Sequence, residues 1–547
     1  MLKSLVKGWL TVVVVLFCLS LPVIRSSVFA SIALPQTGQT SCYDANGAVI
    51  NCAGTGQDGG RKAGISWPNP RFFAGTGPTA GCVTDNLTGL MWYKPATFGL
   101  MTWQNALQTV DTWNTFLFPC NFSNWRLPNI FEHYSLMNAG VPDSIAWLNT
   151  QGFTLDPDPA ANSYYWSSDT VVGSFPTDLA YATRYSFGDF AGFFKGIDFF
   201  KLMFVRNALA GPAALGRTGQ TACYDAAGAL LLSCTGTGQD GEFQAGVIWP
   251  TPRFTNNGNG TVTDNLTDLI WLRDAGCMGL KTWDAALTSV KSLQDGQCNI
   301  SDGSSAGEWK LPNVRELLSL VDLSIPPPPV QAGTPYWTST SVARDPGSLA
   351  YIVTIDDGTV LTDGKALQNP VLPMLARRIL RTSQSAGGLA YPLCSAAGCW
   401  YGEGATVKLM AMPASGYTLS FWVGDCAGFS LFQNVTMDTA RTCTAAFASC
   451  PNSPVKNQTS GNVGPSIQAI YNDSATLTGH TLLLTATDIL GNVIFDASLR
   501  QNPTPVDITL QGGWNCTDLS RAFEASFING TVTVISGSVA LDGVIIH

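Results

Sequence analysis

The chain repeats itself at domain scale. TGQTSCYDANGAVINCAGTGQDG at Thr37–Gly59 returns as TGQTACYDAAGALLLSCTGTGQDG at Thr218–Gly241. WPNPRF at Trp67–Phe72 becomes WPTPRF at Trp249–Phe254, and VTDNLTGLMW at Val83–Trp92 becomes VTDNLTDLIW at Val262–Trp271. WRLPN at Trp125–Asn129 becomes WKLPN at Trp309–Asn313, and YWSS at Tyr165–Ser168 becomes YWTS at Tyr336–Ser339. The offset drifts between about 171 and 184 residues. Each copy is therefore a domain of ordinary size with loop-length changes inside it, not a short solenoid unit. Such a chain must fold one plan twice, and duplicated domains without a catalytic set usually bind or build.

The first residues read as an export signal. Lys3 and Lys7 precede an apolar run from Trp9 to Ile24, and Val28-Phe29-Ala30 offers small residues for cleavage after Ala30. A retained anchor is the alternative, but a run of about 16 residues is short for a bilayer. No transmembrane segment is expected after cleavage. Of fifteen cysteines, Cys18 leaves with the signal and fourteen remain. An even number in an exported chain suggests disulfides. Matching between the copies favours Cys42–Cys52, Cys82–Cys120, Cys223–Cys234 and Cys277–Cys298. Cys394–Cys399, Cys426–Cys443 and Cys450–Cys516 are the pairs suggested downstream. Connectivity is not readable from sequence alone, and free thiols remain the alternative. The formal charge is −9, and loss of Lys3, Lys7 and Arg25 with the signal leaves −12. That excess argues against nucleic acid and anionic membranes as partners.

Five segments follow from these signals: a signal peptide (1–30), a first copy (31–208), a second copy (209–383), a short module (384–449) and a β-rich C-terminal part (450–547). The small-residue stretches Leu209–Leu215 and Thr382–Gly388 read as linkers. Each copy predicts an amphipathic helix after Thr102 or Thr282 as N-cap, with Trp283, Ala286, Leu287, Val290 and Leu293 on one face. A second helix is predicted after LPN, where Val314, Leu317, Leu318 and Val321 share helical spacing. LAYIVTIDDGTV predicts a hairpin about Asp357-Gly358. The fold class expected is α+β: two helices on a twisted, mostly antiparallel sheet in each copy, followed by small all-β modules.

The motifs CYDAxG, TGQDG, WPxPRF, VTDNLTGLMW, WRLPN and YWSS resemble the Lcl C-terminal domain family, over roughly 34–206 and 215–381. The resemblance implies two tandem C-type-lectin-like domains and, since the family's named member binds host glycosaminoglycans, extracellular adhesion or carbohydrate binding. The chain departs from it in its acidity, and the first copy lacks the Asp302–Gly307 insert DGSSAG. GEGATVKLMAMPASGY, FWVGDC and VTMDTARTCTAAF resemble the bacterial B-repeat of internalin type over Leu393–Ala448, which implies a β-grasp-like spacer. The last part weakly resembles parallel β-helix-like tails of exported proteins.

Several residues invite functional readings. The eight repeated tryptophans could stack sugars, but their pattern positions favour core packing. Asp58, Asp240, Asp302 and Asp356-Asp357 could serve calcium, though Asp/Asn-Gly turns explain them without it; no cofactor is expected. The first copy's tail is rich in phenylalanine, and Phe187, Phe190, Phe193 and Phe194 are the candidate ligand-binding residues; core packing and contact between the copies are the competing account. Enzyme signals are weak. His133, His480 and His547 are scattered, and no Gly-x-Ser-x-Gly or His-Glu-x-x-His occurs.

The reading is a secreted or bacterial cell-surface protein, with the periplasm as the alternative address. Its duplicated domains are expected to recognise an extracellular glycan or surface protein. A purely structural envelope or matrix role is the second reading, and an enzyme with an unrecognised acidic site the third.

Overall fold

In each copy a single aspartate explains why two of the recurring motifs travel together. Asp85 ends the strand Cys82–Asp85, accepts hydrogen bonds from Leu87 N and Thr88 Oγ1 (both 3.0 Å), and pairs with Arg71 of WPNPRF at 3.0 Å. The carboxylate thus sets the turn of VTDNLT and anchors WPxPRF over it. Asp264 does the same with Leu266, Thr267 and Arg253. The computed structural model that shows this describes residues 31–546 apart from 95–97, 157–163, 173–176, 324–333, 396–397, 415, 453, 486–487, 517–518 and 520–524. The expected signal lies outside the described residues.

The first copy pairs Phe72–Ala74, Cys82–Asp85, Leu90–Tyr93 and Phe204–Asn207 in one antiparallel sheet. Helix α1 (Trp103–Phe116) buries Trp103, Ala106, Leu107 and Val110. Helix α2 (Ile130–Ser135) starts at a capping box in which the Asn129 side chain accepts from Glu132 N and the Glu132 side chain accepts from Asn129 N. A meander of β1 (Tyr164–Thr170), β2 (Leu179–Arg184) and β3 (Asp189–Phe194) follows. The second copy repeats the order with α3 (Trp283–Lys291), α4 (Val314–Leu318, capped by Asn313 and Glu316), β4 (Pro335–Ser341), β5 (Leu349–Thr354) and β6 (Val360–Gly364). The hairpin about Asp357-Gly358 forms between β5 and β6 as expected. Thr102 and Thr282 hold the N-cap positions but make no side-chain cap bond.

The two copies fold as one body. Their meanders join edge to edge in a six-stranded sheet of order β4-β5-β6-β3-β2-β1, with Val360 paired to Phe190 at the seam. Tyr181 Oη donates to Asp357 O across the seam, and Tyr351 Oη returns the bond to Phe187 O at 3.1 Å. The core beneath is continuous, drawing Trp92, Tyr134 and Phe190 from one copy and Trp271, Leu317 and Val353 from the other. The entry segments are exchanged. The side-chain amide of Gln39 in the first copy donates to Ser341 O (2.8 Å) and accepts from Ser341 N (3.2 Å) in the second, and the Gln220 side chain of the second bonds the backbone of Thr170 in the first in the same way. Ile32 N donates to Leu266 O at 2.7 Å, and Ala213 N to Leu87 O at 3.0 Å. Glycine is required within the segments: a Cβ on Gly59 would lie 2.1 Å from Ser41 O, and one on Gly241 2.4 Å from Ala222 O.

The fold class differs from expectation. Helices take 13% of the chain and strands 35%, so the molecule is β-rich rather than α+β lectin-like. The apolar spacing after LPN is helical, but α2 and α4 end after 6 and 5 residues. Their apolar side chains then continue inward from turns, as Val321 does. The linker expected at Thr382–Gly388 is also different. One strand, Arg377–Gln384, runs through the expected boundary at 383/384 and pairs with Cys399–Gly402 and Arg441–Ser449. Beyond Cys450, His480–Leu484, Asp507–Gln511 and Ser538–Asp542 stack in parallel. Asp488–Leu490, Ser526–Asn529 and Val544–Ile546 stack likewise, a short β-helical pile with the strand Val455–Asn457 antiparallel at one end.

All seven cysteine pairs expected from the sequence are bonded. None of the eight repeated tryptophans is more than 3% exposed. Two outcomes are expected. Thiol labelling of denatured, unreduced protein should find essentially no free thiol; four or more labelled cysteines would contradict the pairing. Changing Trp125 or Trp309 to Ala should cost about 3–5 kcal/mol in denaturant unfolding, the range for emptied aromatic core sites.

Candidate functional site

The exchanged segments carry a buried carboxylate into each half. Asp58, from the first entry, accepts from Thr37 Oγ1 (2.6 Å) and from Thr340 Oγ1 of the second copy (2.9 Å). Asp240, from the second entry, accepts from Thr218 Oγ1 (2.6 Å) and from Asn129 Nδ2 of the first copy (3.2 Å). Burial raises Asp58 to about 6 against those hydrogen bonds, and raises Asp240 as well. Burial, with Asp240 nearby, holds Asp169 well above the carboxylate range. These are joints between the copies, which is the physical reason Asp58 and Asp240 recur in TGQDG. Asp302 and Asp357 cap local turns through Ser304 N and Thr359 N. Among the described residues, no group of three or more His, Cys, Asp or Glu is arranged to hold a metal ion.

The phenylalanine cluster runs from the core to the surface. Phe190 is fully buried at the sheet seam between Tyr134 and Tyr181. Phe187 lies between the guanidinium groups of Arg184 (3.7 Å) and Arg344 (3.8 Å), one from each copy. Phe193 packs on Tyr164 and Phe200. Phe187 and Phe193 are half-buried, and Phe194 is 47% exposed. Phe187 and Phe190 thus serve the seam, while Phe193 and Phe194 lie at the sheet's outer end in the first copy. His133 is fully buried between Tyr185 Oη and Trp166 O, and burial lowers it to about 4. His480 lies in the β-helical part beside Asn457; His547 lies outside the described residues.

The place where the copies diverge chemically is beside α1 and its counterpart α3. A cleft of about 170 Å³ opens between α1 and the exchanged loop Gly236–Phe243, and its polar wall comprises Gln108, Asp111, Asn114, Thr237, Glu242 and Arg126, whose charge is met by Glu132 beneath. Glu242 shapes the loop by accepting from Gly236 N (2.7 Å) and Gly238 N (2.9 Å). Asn114 bonds both backbone groups of Trp125. Phe243, 45% exposed, supplies a flat apolar face. Alignment of TWQNALQTVD with TWDAALTSVK and of QDGEF with QDGGR sets Asp111 against Lys291, Glu242 against Gly60 and Phe243 against Arg61. In the second copy Lys291 Nζ donates to Gly54 O, the counterpart of Gly236 O, and spans the equivalent gap. Arg61 there turns to Glu403 of the following module at 3.9 Å. Glu403 also meets Lys310 and Arg378; burial alone would raise it, but those cations hold it at about 2. One copy of the site is therefore open, with Asp111 and Glu242 as its carboxylates and its cation Arg126 already paired, while the other is bridged by Lys291.

These domains, cross-linked by seven disulfides, are those of an extracellular or surface protein of adhesion type. The chain carries two Lcl C-terminal domains, matched over residues 81–206 and 260–374, and one divergent InlB B-repeat domain, matched over 381–451. No curated protein and no solved structure matches it. The family match is narrower than the motifs suggested: CYDAxG and TGQDG of the exchanged segments, and WPxPRF, lie outside it. No helix among the described residues is long and apolar enough to cross a membrane.

The raised Asp58 ties stability to pH. Its carboxyl binds a proton more tightly folded (about 6) than at the ordinary value of 3.8. Its contribution is fully present below 3.8 and is lost as pH rises through 6. Between pH 4 and 7.5, wild type should lose about 2–3 kcal/mol more stability than Asp58→Asn. Parallel stability curves for the two proteins would contradict this.

Proposed function

We propose that this is an exported adhesion protein that binds the end of a neutral or amine-bearing glycan in the cleft beside α1. The observation that carries the reading is the asymmetry of a duplicated site. A purely architectural pair would have no reason to keep one cleft open, with Asp111, Asn114 and Glu242 around an exposed Phe243, while Lys291 bridges its twin. Hydroxyl-rich rings suit such a mixture, since the polar groups fix orientation and the aromatic face covers the ring's apolar side. The acidic lining and the net charge of −9 disfavour a polyanionic glycosaminoglycan. The reading is non-catalytic. An envelope or matrix role is the second reading, favoured by the fused sheet and exchanged segments, which make the pair rigid whether or not it binds anything.

The twin supplies the control. Asp111→Lys should let the first copy bridge its own cleft to Gly236 O, as Lys291 does to Gly54 O. On a glycan array, wild type is expected to bind a neutral or amino-sugar terminus and Asp111→Lys to lose at least tenfold in affinity with unfolding unchanged. Equal binding by both proteins would move the site elsewhere. Absence of any glycan ligand would favour the structural reading, and capture of a surface protein alone would replace the glycan with a protein partner.

A further inference from the structure

Four of the five buried arginines in the two copies have carboxylate partners. Arg71 pairs with Asp85, Arg126 with Glu132, Arg253 with Asp264, and Arg378 with Glu316 and Glu403. Arg315 is the exception. It is 6% exposed, and among the described residues it has no ion pair. Its only hydrogen bonds run from Nη2 to Ser135 O (3.2 Å) and Met137 O (2.8 Å), at the end of α2. The groups around it are those two carbonyls, the Tyr134 ring at 5.9 Å, Arg71, and, without direct contact, the carboxylates of Asp85, which is engaged by Arg71, and Asp58, which is bonded to Thr37 and Thr340. A buried guanidinium with no carboxylate in direct contact is expensive, and the two carbonyls and the more distant carboxylates offset only part of that cost.

Arg315 lines a half-open slot of about 50 Å³ where the two entry segments pass each other. Its walls are apolar, from Ile32, Leu34, Leu215, Leu266 and Leu318. Arg217 lies on the same wall; its Nη1 donates to Gln244 Oε1 at 2.8 Å, and its Nε is buried without a partner. The repeat sharpens the point. The residue equivalent to Arg315 in the first copy is Phe131, which lines the same slot. One half thus presents an aromatic ring and the other a cation, so the slot is polarised, with spare N–H donors against a hydrocarbon wall.

We infer that this slot is a second ligand site, distinct from the cleft beside α1, and that it takes a short aliphatic carboxylate. The planar carboxylate matches the guanidinium fork and neutralises Arg315, and the alkyl body covers the leucine wall. The small volume limits the enclosed part to a few heavy atoms, with any longer tail leaving through the open side. The site does not depend on the glycan reading.

Calorimetric titration of the full chain with butyrate, its neutral analogue butyramide, and inorganic phosphate tests this. Butyrate is expected to bind saturably at one site per chain, with butyramide and phosphate each at least tenfold weaker. Arg315→Met should lose butyrate binding at least tenfold. Should that variant fail to fold, Phe131→Trp, which fills the slot from the other copy, should lose it equally. Equal binding of butyramide would make the slot merely apolar, and equal binding of phosphate would make it a bare anion site. Either result, or no saturable butyrate binding, overturns the assignment.

Discussion

Everything in the paired domains depends on where Asp58 and Asp240 are buried. Each leaves its own copy on a glycine-rich entry segment and is bonded inside the other, Asp58 to Thr340 and Asp240 to Asn129. Burying an aspartate costs free energy unless its oxygens are satisfied. The threonines and Asn129 satisfy them only when both copies are in place. The six-stranded sheet and the shared core then follow, since β3 and β6 meet at the seam that the exchange brings together. Neither copy completes its own hydrogen bonding alone.

Once the halves are locked, substitution at matched positions acts on geometry that no longer moves. Asp111 against Lys291 and Phe243 against Arg61 give one open acidic cleft and one that Lys291 bridges while Arg61 turns to Glu403. Phe131 against Arg315 does the same at the crossing of the entry segments. The downstream module takes part as well. Glu403 sits among Lys310, Arg378 and Arg61, so the second copy's polar centre is closed by the B-repeat rather than by its own residues. A strand shared across that boundary fixes the module against the pair.

Much of this was legible in the residues. The matched cysteines identified their partners, and the repeated tryptophans marked the core because only buried aromatics keep such regular places beside helices and strands. The exchange was not legible, because two near-identical entry segments carry no mark of which copy they will pair with. The fold class was overdrawn because apolar spacing at Val314, Leu317, Leu318 and Val321 counts as helical even when the helix stops at Leu318 and a turn buries the rest. The phenylalanine run drew attention by composition, yet Phe187 and Phe190 serve the seam. The better signal for a site was a charge reversal, Asp111 against Lys291, visible only when the copies are aligned and the flanking loops are known to touch.

The most direct test is to cut the connection between the copies. No disulfide crosses it, since the first copy's bridges end at Cys120 and the second's begin at Cys223. With a protease site inserted at Gly211-Pro212 and cleaved in the folded protein, native mass spectrometry should find the two fragments still bound one to one, separating only under denaturing conditions. Two fragments that part under native conditions, each folded alone, would contradict the exchanged architecture and the site readings built on it.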